Sequence, residues 1–167
     1  MRWTDVATGA AVGAAFTTAH SATAVTPYRD SQITAKLVTE LDLAGVLFGL
    51  PILQPHYPTW YLLPEILGIG TARSLGVGFF AVSVLFCALA AKAIHGSAAA
   101  PLAAWLVALS PFIATQASWL RMYSAVSALV AGTLWLELTG RRRGAAIAAA
   151  VVSLIHPLAG TVAAWSA

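Results

Sequence analysis

From Ser74 to Ala91 no acidic, basic or imidazole side chain interrupts the chain, and the same holds from Ser124 to Leu136. A helix over either stretch has no polar face, and a helix that is apolar all round lies inside a large core or inside a bilayer. The charged fraction decides between them. Of 167 residues, 59% are hydrophobic and 9% charged, against roughly a quarter charged in an ordinary soluble domain. So few charges do not cover a soluble surface. The expected fold is therefore all-α, a polytopic transmembrane helical bundle forming a single transmembrane domain over residues 1–167.

Five spans are expected: Val6 to Val25, Arg73 to Ile94, Ala99 to Thr115, Met122 to Leu138 and Ala145 to Trp165. Each is close to the ~20 residues that cross hydrocarbon as a helix. Arg2 followed by an Ala-rich run also resembles a signal peptide with a cleavage site near Ala22 to Ala24. A retained first helix is the reading taken here. Lys92 to Ser97, Gln116 to Arg121 and Gly140 to Gly144 form the short breaks, which make neighbouring spans antiparallel.

A cytoplasmic N-terminus puts Arg2, Lys92 and the cluster Arg141, Arg142 and Arg143 inside, and Arg29, Lys36, Arg73 and Arg121 outside, so the triple arginine sets a multi-pass plasma-membrane orientation. Trp3 and Trp135 then mark the inner interface, and Trp60, Trp119 and Trp165 the outer one. With the arginine cluster acting as a topological anchor, the net charge of +3 leaves no basic face for nucleic acid. Cys87, the one cysteine, permits no disulfide framework and reads as a small apolar residue.

The long connection, Thr26 to Ala72, holds Asp30, Glu40, Asp42 and Glu65, four of the six acidic residues. Leu43 to Leu53 and Thr59 to Ile69 are too short to span and are broken by Pro51, Pro55, Pro58 and Pro64. Short interfacial helices in a first outer loop fit them. A competing topology makes Glu40 to Leu63 a sixth span, but it would bury three prolines and His56 in hydrocarbon.

In the five-span topology Asp30, His56, Arg73, Arg121, Tyr123 and His156 all fall on the outer side. An acid, two arginines and two histidines in one place would make an anion site with a general base. Each also has a plainer reading. Asp30 fits a helix N-cap, Arg73 and Arg121 fit snorkelling helix ends, His156 before Pro157 fits a bond to a freed carbonyl, and His56 fits an exposed turn.

The order of these residues is more specific. Tyr28-Arg29-Asp30-Ser31 follows the first span, Gln54-Pro55-His56-Tyr57-Pro58-Thr59-Trp60-Tyr61 precedes a short apolar helix, and Ala72-Arg73-Ser74-Leu75 opens the second span. Ser110-Pro111-Phe112 and Gln116 to Tyr123, with Arg121-Met122-Tyr123, lead into the fourth, and Ile155-His156-Pro157 is a weaker echo of a later element. In these features the chain resembles the N-terminal part of the GT-C superfamily of membrane glycosyltransferases, in the branch of protein mannosyltransferases and lipid A aminoarabinose transferases. The resemblance spans nearly the whole chain but only part of a usual family member. Ser31 stands where many relatives carry a second acid, for which Glu40, Asp42 or Glu65 are the available substitutes.

The resemblance implies sugar transfer from a polyprenyl-phosphate donor to an acceptor protein or glycolipid at the outer face. Asp30 would be the catalytic base, and Arg73 and Arg121 would bind the donor phosphate, with or without a divalent metal ion. His56, Tyr123 and His156 would contact substrate. Two other readings stand beside it: a truncated or non-catalytic subunit that needs a partner membrane subunit, and a small transporter. The charge-free middles of the spans count against a transport path.

Overall fold

The computed structural model describes residues 3–23, 29–49, 60–110, 122–156 and 159–161, with side chains at 3–15, 32–48, 60–110, 122–156 and 159–161. Regular structure among them is helical throughout: α1 (Trp3–Thr23), α2 (Arg29–Glu40), a single π-helical turn (Gly45–Gly49), α3 (Leu62–Leu67), α4 (Ile69–His95), α5 (Ala99–Ala108), α6 (Tyr123–Leu138) and α7 (Arg142–Ile155). Among the described residues, one helix, α4, is long and apolar enough to cross a membrane. Its 27 residues span about 40 Å at 1.5 Å per residue.

Proline and glycine explain where these helices stop. A proline disfavours helical backbone at the residue before it. His156, before Pro157, is extended at φ −149°, ψ 111°, so α7 ends there rather than continuing to Trp165. At the end of α6, Gly140 takes φ 73°, its N–H bonds to Glu137 O at 2.9 Å, and the Arg141 N–H reaches Leu136 O at 2.8 Å. This pair of bonds is a Schellman closure, which needs the left-handed residue that glycine supplies. α5 ends at Ala108, with Leu109 as its C-cap, rather than continuing to Thr115. α4 begins at Ile69, which places Arg73 inside the helix, and a helix occupies Arg29–Glu40, in line with the N-cap reading of Asp30 and ahead of the two short interfacial segments that were expected.

α4 is the hub, touching α1, α3, α5 and α6, while α7 packs on α6. Contacts set the directions. Gly13 of α1 faces Phe80 of α4 and Ala108 of α5, while Gly9 faces Ala104, so α1 runs with α5. At the other end of α4, Trp3 meets Lys92, so α1 runs against α4. Ser83 of α4 lies beside Ser124 of α6 and Phe86 beside Trp135, so α4 and α6 run together. Gly144 against Leu136 starts α7 in the reverse direction. α1, α4, α5, α6 and α7 thus alternate in direction, with Trp3, Lys92, Trp135 and Arg141 gathered at one end.

In α5 and the first turns of α7 small residues face inward and large apolar ones outward, whereas α4 buries Phe80 and Val84. In α5, Ala100, Ala104 and Ala108 are 0% exposed while Leu102 and Leu106 are 63% and 66% exposed; in α7, Ala145 is 0% and Ile147 67% exposed. Water selects the opposite arrangement, since large apolar patches on a monomer mark surfaces meant for something other than solvent. Mid-helix hydroxyls are turned onto their own helices: Ser83 donates to Phe79 O at 3.0 Å, Thr133 to Leu129 O and Ser153 to Ala149 O, each at 2.8 Å. That local bond satisfies a donor without help from water.

The short elements form a separate layer beside the N-terminal end of α4. Thr34 and Val38, four residues apart on α2, are 0% and 8% exposed. Val38 packs with Val46 and Tyr61, covered by Leu37, Leu41 and Leu62. Lys36 and Glu40 pair at 3.7 Å on the exposed face, and the Asp42 carboxylate accepts the Gly45 N–H at 2.8 Å, capping the π turn.

The α1 seam generates a test. A Cβ on Gly13 would sit 2.8 Å from Phe80 Cε1 and 3.3 Å from the Ala108 backbone, whereas one on Gly70 would meet nothing within 4 Å. Gly13→Leu is therefore expected to lower unfolding free energy by about 1–3 kcal/mol through overpacking. Gly70→Ala should leave it unchanged or raise it by up to roughly 1 kcal/mol. Denaturation in mixed micelles measures both, and equal effects would show that the seam is not tightly packed.

Candidate functional site

The α2–α3 layer, the start of α4, the start of α6 and the end of α7 meet at the end of the bundle opposite Lys92 and Arg141. Trp60, just before α3, is 3% exposed and packs with Met122 and Ala125, covered by Leu63, Phe79, Val126 and Ile155. Its ring centroid lies 6.4 Å from that of Phe79. One indole thus ties α3, α4, α6 and α7 together. The sequence reading placed Trp60 as an interfacial marker, and the structure buries it in this junction.

Four of the six expected site residues belong to described elements. Tyr123 is the first residue of α6 and is half-buried. His156 caps α7, is half-buried, and its Nδ1 accepts the Ala159 N–H at a long 3.4 Å. Through this nitrogen it caps the next helical turn. The neighbours of these two residues, Met122 and Ile155, share the Trp60 cluster, so Tyr123 and His156 flank one layer. Arg73 is exposed on α4 and forms no ion pair among the described residues. It lies six residues before Phe79, hence about 9 Å further out along the helix. Asp30 stands in the first turn of α2, where a carboxylate is favoured by the helix dipole, rather than in a loop. The Asp30 side chain, His56 and Arg121 lie outside the described residues.

The candidate second acids divide. Glu40 is paired with Lys36 and Asp42 caps a turn, while Glu65 is half-buried on α3 without an ion pair among the described residues. Those residues hold no group of three metal-ligating side chains. Of the candidates for a metal, Asp30 and His56 fall outside the described side chains.

Two polar groups that sequence reasoning missed belong to the same junction. Trp60 Nε1 and Ser124 Oγ are buried and without a hydrogen-bond partner among the described residues. Ser83, which donates to Phe79 O at 3.0 Å, approaches the Ser124 carbonyl at 3.5 Å and not its hydroxyl. No sequence signal marks them, because an ordinary Trp and Ser acquire this character only through burial. An unpaired buried polar group costs about 1–3 kcal/mol, so the junction carries hydrogen-bonding capacity that the described residues do not use. Comparison of the chain with family models, with curated proteins and with solved structures finds no match.

If Ser124 Oγ is unpaired, Ser124→Ala should leave stability unchanged or raise it by about 1 kcal/mol, as a buried orphan is removed. Ser83→Ala, which loses made bonds, should lower it by about 0.5–1.5 kcal/mol. Micelle denaturation of both variants checks the contrast. A larger loss for Ser124→Ala would mean that its hydroxyl is already bonded.

Proposed function

We propose that the chain is a five-span plasma-membrane protein with a cytoplasmic N-terminus, and that its α2–α3 end transfers a sugar from a polyprenyl-phosphate donor to an acceptor at the outer face. The observation that carries the membrane part is the inverted burial, alanine inside and leucine outside, which suits lipid tails as solvent. In that solvent helices associate by close packing of small residues. The amphipathic α2, with Thr34 and Val38 turned in and Lys36 and Glu40 turned out, suits an interfacial position.

Sugar transfer is supported by the family-like motif order together with the position of Arg73, Tyr123 and His156 at one end of the bundle. The chemistry fits those residue types. Cleavage of a sugar–phosphate bond leaves negative charge on the lipid phosphate, which guanidinium groups stabilise. Arg73 and Arg121 take this role. The acceptor hydroxyl attacks the anomeric carbon while losing its proton to a carboxylate, the role of Asp30. His56, Tyr123 and His156 orient the donor, and Trp60 Nε1 and Ser124 Oγ are buried groups that sugar hydroxyls can satisfy. Any divalent metal would supplement the arginines in neutralising the phosphate.

The test is transfer of labelled sugar from a polyprenyl phosphate in proteoliposomes, alongside binding of the same donor. Asp30→Asn should reduce transfer by about 10²–10⁴-fold with donor binding intact, because the amide keeps the shape but accepts no proton. Arg121→Ala should weaken both. Equal transfer by wild type and Asp30→Asn excludes Asp30 as the base. Donor binding without transfer in the wild type points instead to a subunit that needs a partner.

A further inference from the structure

At the end of the bundle away from the candidate site, two cations rest on aromatic rings rather than on carboxylates. Lys92 Nζ lies 5.6 Å from the centre of the Trp3 ring and the Arg141 guanidinium 5.2 Å from that of Trp135. Neither forms an ion pair among the described residues. The two acids nearest in sequence, Asp5 and Glu137, each stand two residues from one of these tryptophans, roughly 200° round the helix at 100° per residue. A cation held over a ring keeps its full charge and is fixed in place.

Two hollows lie near this end. One, between α4 and α6, is lined by Leu89, Lys92, Ala93, Trp135 and Thr139, so that Lys92 borders the ring on which Arg141 sits. The other is a groove of about 390 Å³ between α1 and α4, running from Trp3 past Val6 and Ala10 to Val82 and Leu85. Its walls are apolar, and the Trp3 ring at its end is the one that carries Lys92. A cation beside the end of an apolar groove matches an amphiphile whose head is anionic. Basic pockets between helices on the cytoplasmic side recognise anionic head groups in this way.

We propose that this end holds one anionic phospholipid of the inner leaflet, its phosphate between Lys92 and Arg141 and an acyl chain in the α1–α4 groove. The inference rests on the membrane-spanning part of the reading above and is independent of sugar transfer. It also gives the arginine-rich end a binding role beyond orientation: the lipid joins α1, α4 and α6 at the end where α1 begins.

Native mass spectrometry of the full chain released from micelles, with equimolar dioleoyl phosphatidylglycerol and dioleoyl phosphatidylcholine, tests it. The wild type should retain one phosphatidylglycerol in preference to phosphatidylcholine by about tenfold or more. Lys92→Gln/Arg141→Gln should bring the ratio to about one, and Arg142→Gln/Arg143→Gln should keep it. Equal retention of the two lipids by the wild type overturns the site while leaving the membrane reading standing, and this arm needs no variant to fold. An unchanged preference in Lys92→Gln/Arg141→Gln overturns the assignment of the residues. Retention of neither lipid overturns the site and counts against the membrane reading as well.

Discussion

The bundle depends on how closely α1 approaches α4 and α5. Gly9 and Gly13 bring the α1 backbone against Ala104, Ala108 and the edge of Phe80. Around this contact Val6, Val84, Ala88, Ala100 and Ala104 are nearly or wholly buried. In a lipid environment no hydrophobic force drives helices together, so dispersion contacts at short range must. Glycine and alanine shorten the range. The alanine richness of the chain is thus the packing code of the fold, and α4 can serve as hub because its neighbours present small residues to it.

Once that packing fixes the alternation of helices, the chemistry separates by end. One end collects Lys92, His95 and the three arginines with Trp3 and Trp135. The other collects Arg73, Tyr123 and His156 beside the α2–α3 layer. Between them, Ser83, Thr133 and Ser153 fold their hydroxyls back onto carbonyls of their own helices.

Much of this order was legible from residue type. Uninterrupted apolar runs mark α4 and α6, and the arginine cluster marks the turn before α7. What escaped were features that depend on contact. The helix at Arg29–Glu40 is short and polar on one side, with Val38 buried only through contact with Val46 and Tyr61. Trp60 looks interfacial in sequence because its burial comes from Met122 and Phe79, remote along the chain. The contact of the His156 ring with the N–H of Ala159 is likewise set by backbone geometry, the extended conformation at His156 before a proline. The site itself was legible only as a list of residues sharing one end. The described structure places Tyr123 and His156 beside one layer, sets Arg73 further out, and starts a helix at Asp30.

In the proposed topology α4 crosses the bilayer with its Arg73 end outside, which places the candidate site and the cationic end on opposite faces. Single cysteines at Gly70, where a side chain has open space, and at Ser97, exposed in the turn after α4, bracket the helix. In intact cells carrying Cys87→Ala as background, a membrane-impermeant maleimide should label Gly70→Cys directly and Ser97→Cys only after permeabilisation. Labelling of both from one side, or of Ser97→Cys alone from outside, would contradict the account.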